Sequence, residues 1–91
     1  MTHYVTLHFH NVPAGREADY ATWFDGPHAT DCARLRGFTS ADRYEITPEQ
    51  VMPDIAQPWR YLSVYEYDSA TPEIDIPALG PLLADARDAG L

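Results

Sequence analysis

Residues 3–11 alternate with a period of two: Val5, Leu7 and Phe9 fall on one side of an extended chain, and Tyr4, Thr6, His8 and His10 on the other. In β-forming residues that pattern predicts a strand, and Pro13-Ala14-Gly15 ends it. Over 15–25 the period becomes helical, with Ala18, Tyr20, Ala21, Trp23 and Phe24 as a broad apolar stripe. Gly26-Pro27 is expected to interrupt this helix. Asp25 is then expected to cap a second segment over 27–35, and Gly37 to stop it.

A second strand is predicted over 38–46, followed by a loop over 47–58 that holds Pro48, Pro53 and Pro58. A third strand is predicted over 59–67. It puts Trp59, Tyr61, Ser63, Tyr65 and Tyr67 on one face, and Leu62, Val64 and Glu66 nearer the other. Beyond a turn with Ser69 and Pro72, Ile76, Leu79, Leu82, Leu83 and Ala86 form the stripe of a last helix over 75–89. The order β-α-β-β-α is the split βαβ plan without its last strand, read here as one α+β domain over residues 1–91. Its antiparallel sheet carries helices on one face only, so the other face needs a cover, and a partner's sheet is the obvious one. A chain of 91 residues is short of core, and dimerisation adds burial.

A formal charge of −8 argues against nucleic acid and anionic membrane surfaces as partners, since both select a positive face. No apolar run reaches the roughly 18 residues that a membrane span needs. Met1-Thr2-His3-Tyr4 lacks the basic and apolar regions of a secretory leader. With Cys32 as the single cysteine no intrachain disulfide forms, so a cytoplasmic location is expected. No Gly-rich phosphate loop is present, and no nucleotide or other cofactor is expected.

The run Trp23-Phe24-Asp25-Gly26-Pro27-His28-Ala29-Thr30-Asp31, followed by Leu35-Arg36-Gly37-Phe38 and by Arg43-Tyr44 near the end of strand two, resembles the EthD-like group of the dimeric α/β-barrel superfamily. Gly15-Arg16-Glu17 before the first helix and the aromatic third strand fit the same pattern, and the resemblance covers residues 3–70. It implies a ferredoxin-like βαββα(β) fold that dimerises into an α/β barrel, with a small-molecule pocket between sheet and helices. Ala29-Thr30 stands where the group usually has a Pro soon after the His. The group's fourth strand would follow the last helix, and here it is missing or supplied elsewhere. Members of the superfamily include cyclases, dehydratases, lactone isomerases, cofactor-independent oxygenases and haem-degrading enzymes, and fold alone does not choose among them.

His28 and Asp31, spaced i, i+3, can share a helix face. An imidazole can then move a proton on or off a carbon acid or phenol while the carboxylate orients it. The bland alternative is a pair of solvated residues near a helix start. Tyr65 and Tyr61 are candidate donors to a developing enolate, beside Ser63 on the same strand face. Tyr20, Trp23, Phe24 and Trp59 are candidate walls, with plain core packing as the competing account of these aromatics. Arg43 is a candidate carboxylate holder or a surface partner of Glu45 or Asp42. His8 and His10 either line the face that meets a partner or act as polar groups in a cavity. With no third ligand in a recognisable motif, no metal site is expected. Cys32 is expected to be a buried small hydrophobe. By the resemblance, a His at the start of strand one, here His3, faces the pocket.

These expectations describe a homodimeric, cofactor-independent enzyme. It would act on a polyketide-like or aromatic small molecule by cyclisation, dehydration or isomerisation. The alternatives are a non-catalytic binding or dimerisation module and a small cofactor-independent or haem-linked monooxygenase.

Overall fold

The computed structural model describes residues 1–91. Three antiparallel strands, β1 (Thr2–His10), β2 (Phe38–Glu45) and β3 (Tyr61–Ser69), form an open sheet in the order β1-β3-β2. The helices are α1 (Glu17–Trp23), α2 (Ala29–Cys32), α3 (Pro72–Asp75) and α4 (Gly80–Asp88). The architecture is therefore α+β and consistent with the ferredoxin-like plan, with a three-stranded sheet. No helix is long and apolar enough to cross a membrane.

Gly26-Pro27 does not break the first helix, contrary to the sequence-based expectation. A π-helical turn, Phe24–His28, joins α1 to α2, with Ala29 N–H reaching back to the Phe24 carbonyl. Pro27 has no N–H to give the carbonyl four residues back, and a wider turn absorbs that missing donor. Asp25 does not cap a helix either. It lies inside the π turn and takes both guanidinium contacts of Arg43, at 3.1 and 2.8 Å, which ties the turn to β2. Gly37 does end the segment, at φ +84°, and a Cβ there would stand 2.8 Å from the Asp68 carbonyl oxygen. The close approach is the point of the glycine: Asp68 N–H donates to the Gly37 carbonyl at 2.8 Å, beginning the β2–β3 contact.

β3 starts at Tyr61, so Trp59 belongs to the preceding loop and is exposed. The last helical region is divided. α3 and a 3₁₀ turn, Pro77–Leu79, precede α4, with Pro72, Pro77 and Pro81 each in a first turn, where a missing N–H costs nothing. α3 is pinned by Asp75, which accepts from Arg36 Nε at 2.7 Å, Ser69 Oγ at 2.6 Å and Thr71 Oγ1 at 3.0 Å. These contacts hold the Asp75 carboxyl below the usual carboxylate range, the Ser69 bond first among them.

The alternation in β1 is present, but its sense is informative. Tyr4, Thr6, His8 and His10 pair in register with Tyr67, Tyr65, Ser63 and Tyr61 on the face that meets the helices. Val5, Leu7 and Phe9 sit on the opposite face, 56, 53 and 43% exposed. Leu62 and Val64 of β3 and the exposed Tyr44 of β2 join them there. The helix side is thus packed with phenols, imidazoles and serines, and the more aliphatic side is open. Only 11 residues are buried, a small core for the chain's surface.

Candidate functional site

A cavity of about 570 Å³ lies between the β1 end of the sheet, α1 and α4. Leu83, Ala84 and Ala86 of α4 give it an apolar wall, and Trp23 of α1 gives a flat one. Its polar lining is His8, His10, Tyr20 and Tyr65, with Asn11 and Arg87. The period of β1 accounts for the two histidines: at i, i+2 both project from the same face. Their rings stack at 4.8 Å between centroids and 18° between planes.

His10 is tightly held. Its Nε2 lies 3.0 Å from the Tyr20 hydroxyl and 3.3 Å from Ser63 Oγ, and the two hydroxyls are 3.1 Å apart. Neutral imidazole has one N–H and one lone pair. When Nε2 accepts from Tyr20, the ring proton sits on Nδ1. When Nε2 donates, the Tyr20 O–H is free to turn toward the cavity. The triangle can therefore redistribute its protons without leaving a buried group unpaired. Burial, reinforced by neighbouring His8, pushes the His10 pKa down to about 4. Burial lowers His8 as well, and its ring makes no hydrogen bond to the protein. At neutral pH both are uncharged, and His8 has its nitrogen lone pair unengaged.

His28 occupies a different position. It is 1% exposed and lies behind Tyr65, with Nε2 2.8 Å from the Tyr65 hydroxyl. Trp23 stacks on it at 4.2 Å, and Cys32 Sγ is 3.5 Å from Nε2. Burial pushes its pKa down to about 4. The π turn delivers it there, since the extra residue in the turn rotates His28 inward. Asp31 makes no hydrogen bond to His28; it faces Arg34 at 3.6 Å. Cys32 is fully buried, and burial pushes its thiol up to about 11, as befits a small hydrophobe.

Of the residues singled out in the sequence, Tyr20, Trp23 and Tyr65 line the cavity. Ser63 and Tyr61 stand behind His10, the first hydrogen-bonded and the second stacked at 5.8 Å. Phe24 is core, 2% exposed and packed against Tyr20, His28 and Tyr65. Arg43, Asp31, Trp59 and His3 lie away from it. His3 is on the outer face, bonded to Asp68 at 2.6 Å and Glu66 at 3.2 Å, and these contacts, Asp68 first, raise its pKa. For His8 and His10 the sequence left two roles open, a partner-facing surface or polar groups in a cavity, and both line the cavity; the wall formed by α4 was not assigned from the sequence. The i, i+2 histidines were visible there, but which face of β1 the helices cover was not. No group of three or more His, Cys, Asp or Glu side chains is arranged to hold a metal ion.

Comparisons with protein-family models, with curated proteins and with solved structures each found no match.

Proposed function

We propose that the chain is a cofactor-independent enzyme of small-molecule metabolism that moves protons at an enolisable carbon of a polyketide-like or aromatic substrate. The resulting reaction is a cyclisation, dehydration or isomerisation. The observation that carries this reading is the cavity's set of four neutral acid–base groups, His8, His10, Tyr20 and Tyr65, set against an apolar wall. His8, with its lone pair unengaged, takes the proton from carbon, and the C–H electron pair passes into the enolate. The Tyr20 and Tyr65 hydroxyls donate to the enolate oxygen. The imidazolium then returns its proton to a second carbon or to a departing hydroxyl. His10 and His28 position the two phenols rather than touching substrate, a reassignment from the His28–Asp31 pair prompted by the burial of His28.

We further propose that the working unit is a homodimer joined through the outer face of the sheet. Val5, Leu7, Phe9 and Tyr44 expose apolar surface there, and covering it would compensate a small core.

The test is solvent deuterium exchange at the acidic carbon of a β-keto ester, followed by proton NMR. The wild type should accelerate exchange, and His8→Ala should lose at least about 10²-fold of that acceleration. A wild-type protein that binds the ester with no faster exchange is instead a binding module. An equally active His8→Ala variant moves the base elsewhere in the cavity.

A further inference from the structure

The cavity is chemically two-ended. Its interior groups, His8, His10, Tyr20 and Tyr65, are neutral at pH 7, because burial lowers both imidazoles and raises both phenols. Arg87 is the only lining side chain with a formal charge. It stands on the last turn of α4, and its one ionic contact is with Asp88 at 3.6 Å, both side chains being largely exposed. Such a pair holds a guanidinium weakly. A second cation reaches the same rim: Arg16 Nη1 lies 3.2 Å from where a Cβ on Gly90 would stand, and Gly90 lines the cavity. Arg16 is already engaged by Asp19 at 2.9 Å, which leaves Arg87 as the freer of the two. The chain has only six Lys and Arg against fourteen Asp and Glu. Two of its six cations therefore flank one end of this cavity.

We propose that Arg87 is a specificity-determining residue that selects substrates carrying a carboxylate, bound at the rim with the planar, enolisable or phenolic part directed to the histidines and tyrosines. The inference rests on the cavity being the substrate site and adds the charge of what enters it. A guanidinium matches a carboxylate with two parallel N–H···O bonds, a geometry that a neutral amide or ester cannot reproduce. A ligand of this class spans the cavity with its anion toward the guanidinium and presents an uncharged reacting end to uncharged acid–base groups. The apolar wall of Leu83 and Ala84 then covers the ring between the two ends.

The experiment pairs 2-hydroxybenzoate with its neutral amide, 2-hydroxybenzamide. Binding is measured by calorimetry to the wild type, Arg87→Gln and Arg87→Lys, with the imidazole signals of His8 and His10 followed by NMR. Arg87 is exposed, so its replacement leaves the fold intact. The wild type should prefer the acid by roughly tenfold, the scale of one charged hydrogen-bonded contact. Arg87→Gln should abolish that preference by weakening the acid alone, and Arg87→Lys should keep part of it. Equal wild-type affinities, or a preference that survives Arg87→Gln, overturn the assignment. If both ligands still move the His8 and His10 signals, the cavity remains the substrate site and only the role of Arg87 falls. If neither ligand binds or moves those signals, both readings fall for planar phenolic substrates.

Discussion

His28 Nε2 lies 2.8 Å from the Tyr65 hydroxyl, and the two rings meet nearly at right angles, 88° between planes. The bond joins the π turn of the first helix to the central strand. It also sets the orientation of a phenol that lines the cavity. A histidine recruited for proton transfer from the helical side would need access to substrate, and this one is covered by Trp23 on one side and Phe24 on another.

His28→Ala should therefore be a folding variant before it is a catalytic one. It leaves the Tyr65 hydroxyl unpaired and opens a void beside Trp23, at a cost of about 3 kcal/mol. His28→Gln, which can still bond the phenol, should lose less. Urea unfolding measures both. An Ala variant that unfolds at the wild-type midpoint would show that the His28–Tyr65 bond holds nothing together.

Stability should fall on mild acidification. His10 and His28 are each held down to about 4 in the folded chain, against 6.5 when exposed. Between those values the unfolded state binds more protons than the folded one. The contribution of these two groups is thus complete above about 6.5 and declines as pH falls toward about 4, by on the order of 1 kcal/mol per pH unit for each. Urea midpoints at pH 7, 6 and 5 should descend in order. His3, raised by Asp68 and Glu66, contributes in the opposite sense, so the series is run on His3→Gln as well; a profile that is flat over that range in that variant contradicts the burial of two neutral histidines.

Leu7→Lys should split the proposed sheet-face dimer into monomers without harming the subunit. Leu7 lies on the outer face, opposite Val64 in the β1–β3 register and 53% exposed. A lysine there costs the isolated subunit little, but it would place a charge inside an apolar joint. Light scattering after gel filtration reads the mass directly. A wild-type protein that elutes as a monomer at high concentration removes the sheet-face dimer from consideration.

Gly37→Ala should destabilise by roughly 2 kcal/mol or more. The backbone is at φ +84°, and the new Cβ would meet the Asp68 carbonyl at 2.8 Å. That carbonyl is backbone in β3 and cannot swing aside. Thermal unfolding followed by circular dichroism tests this, and an unchanged midpoint would mean that the β2–β3 approach is slack.

Three strands and the first helix as far as Gly26 were legible in the sequence because they depend on local period and on turn residues. Val5, Leu7 and Phe9 must alternate with His8 and His10 in any extended conformation, and Gly37 can take its positive φ wherever the segment ends. Tyr20, Trp23 and Tyr65 were identifiable as wall and donor candidates for the same reason, since aromatic residues at those spacings share a face.

What local pattern leaves open is the sign of a face and the path through a proline. Alternation separates an aliphatic side of β1 from an imidazole side, but does not say which one the helices cover. Here the polar side turns inward because its groups satisfy one another across elements, as in the His10–Tyr20–Ser63 triangle drawn from β1, α1 and β3. Such pairing exists only once 53 residues of separation between His10 and Ser63 have been closed. Likewise, Gly26-Pro27 looks like a break when read locally, yet the chain passes through it as a π turn. There Arg43 holds Asp25, and the core takes up His28. The elements follow from residue-to-residue propensity; which of their faces became the site was decided by hydrogen bonds and contacts between distant parts of the chain.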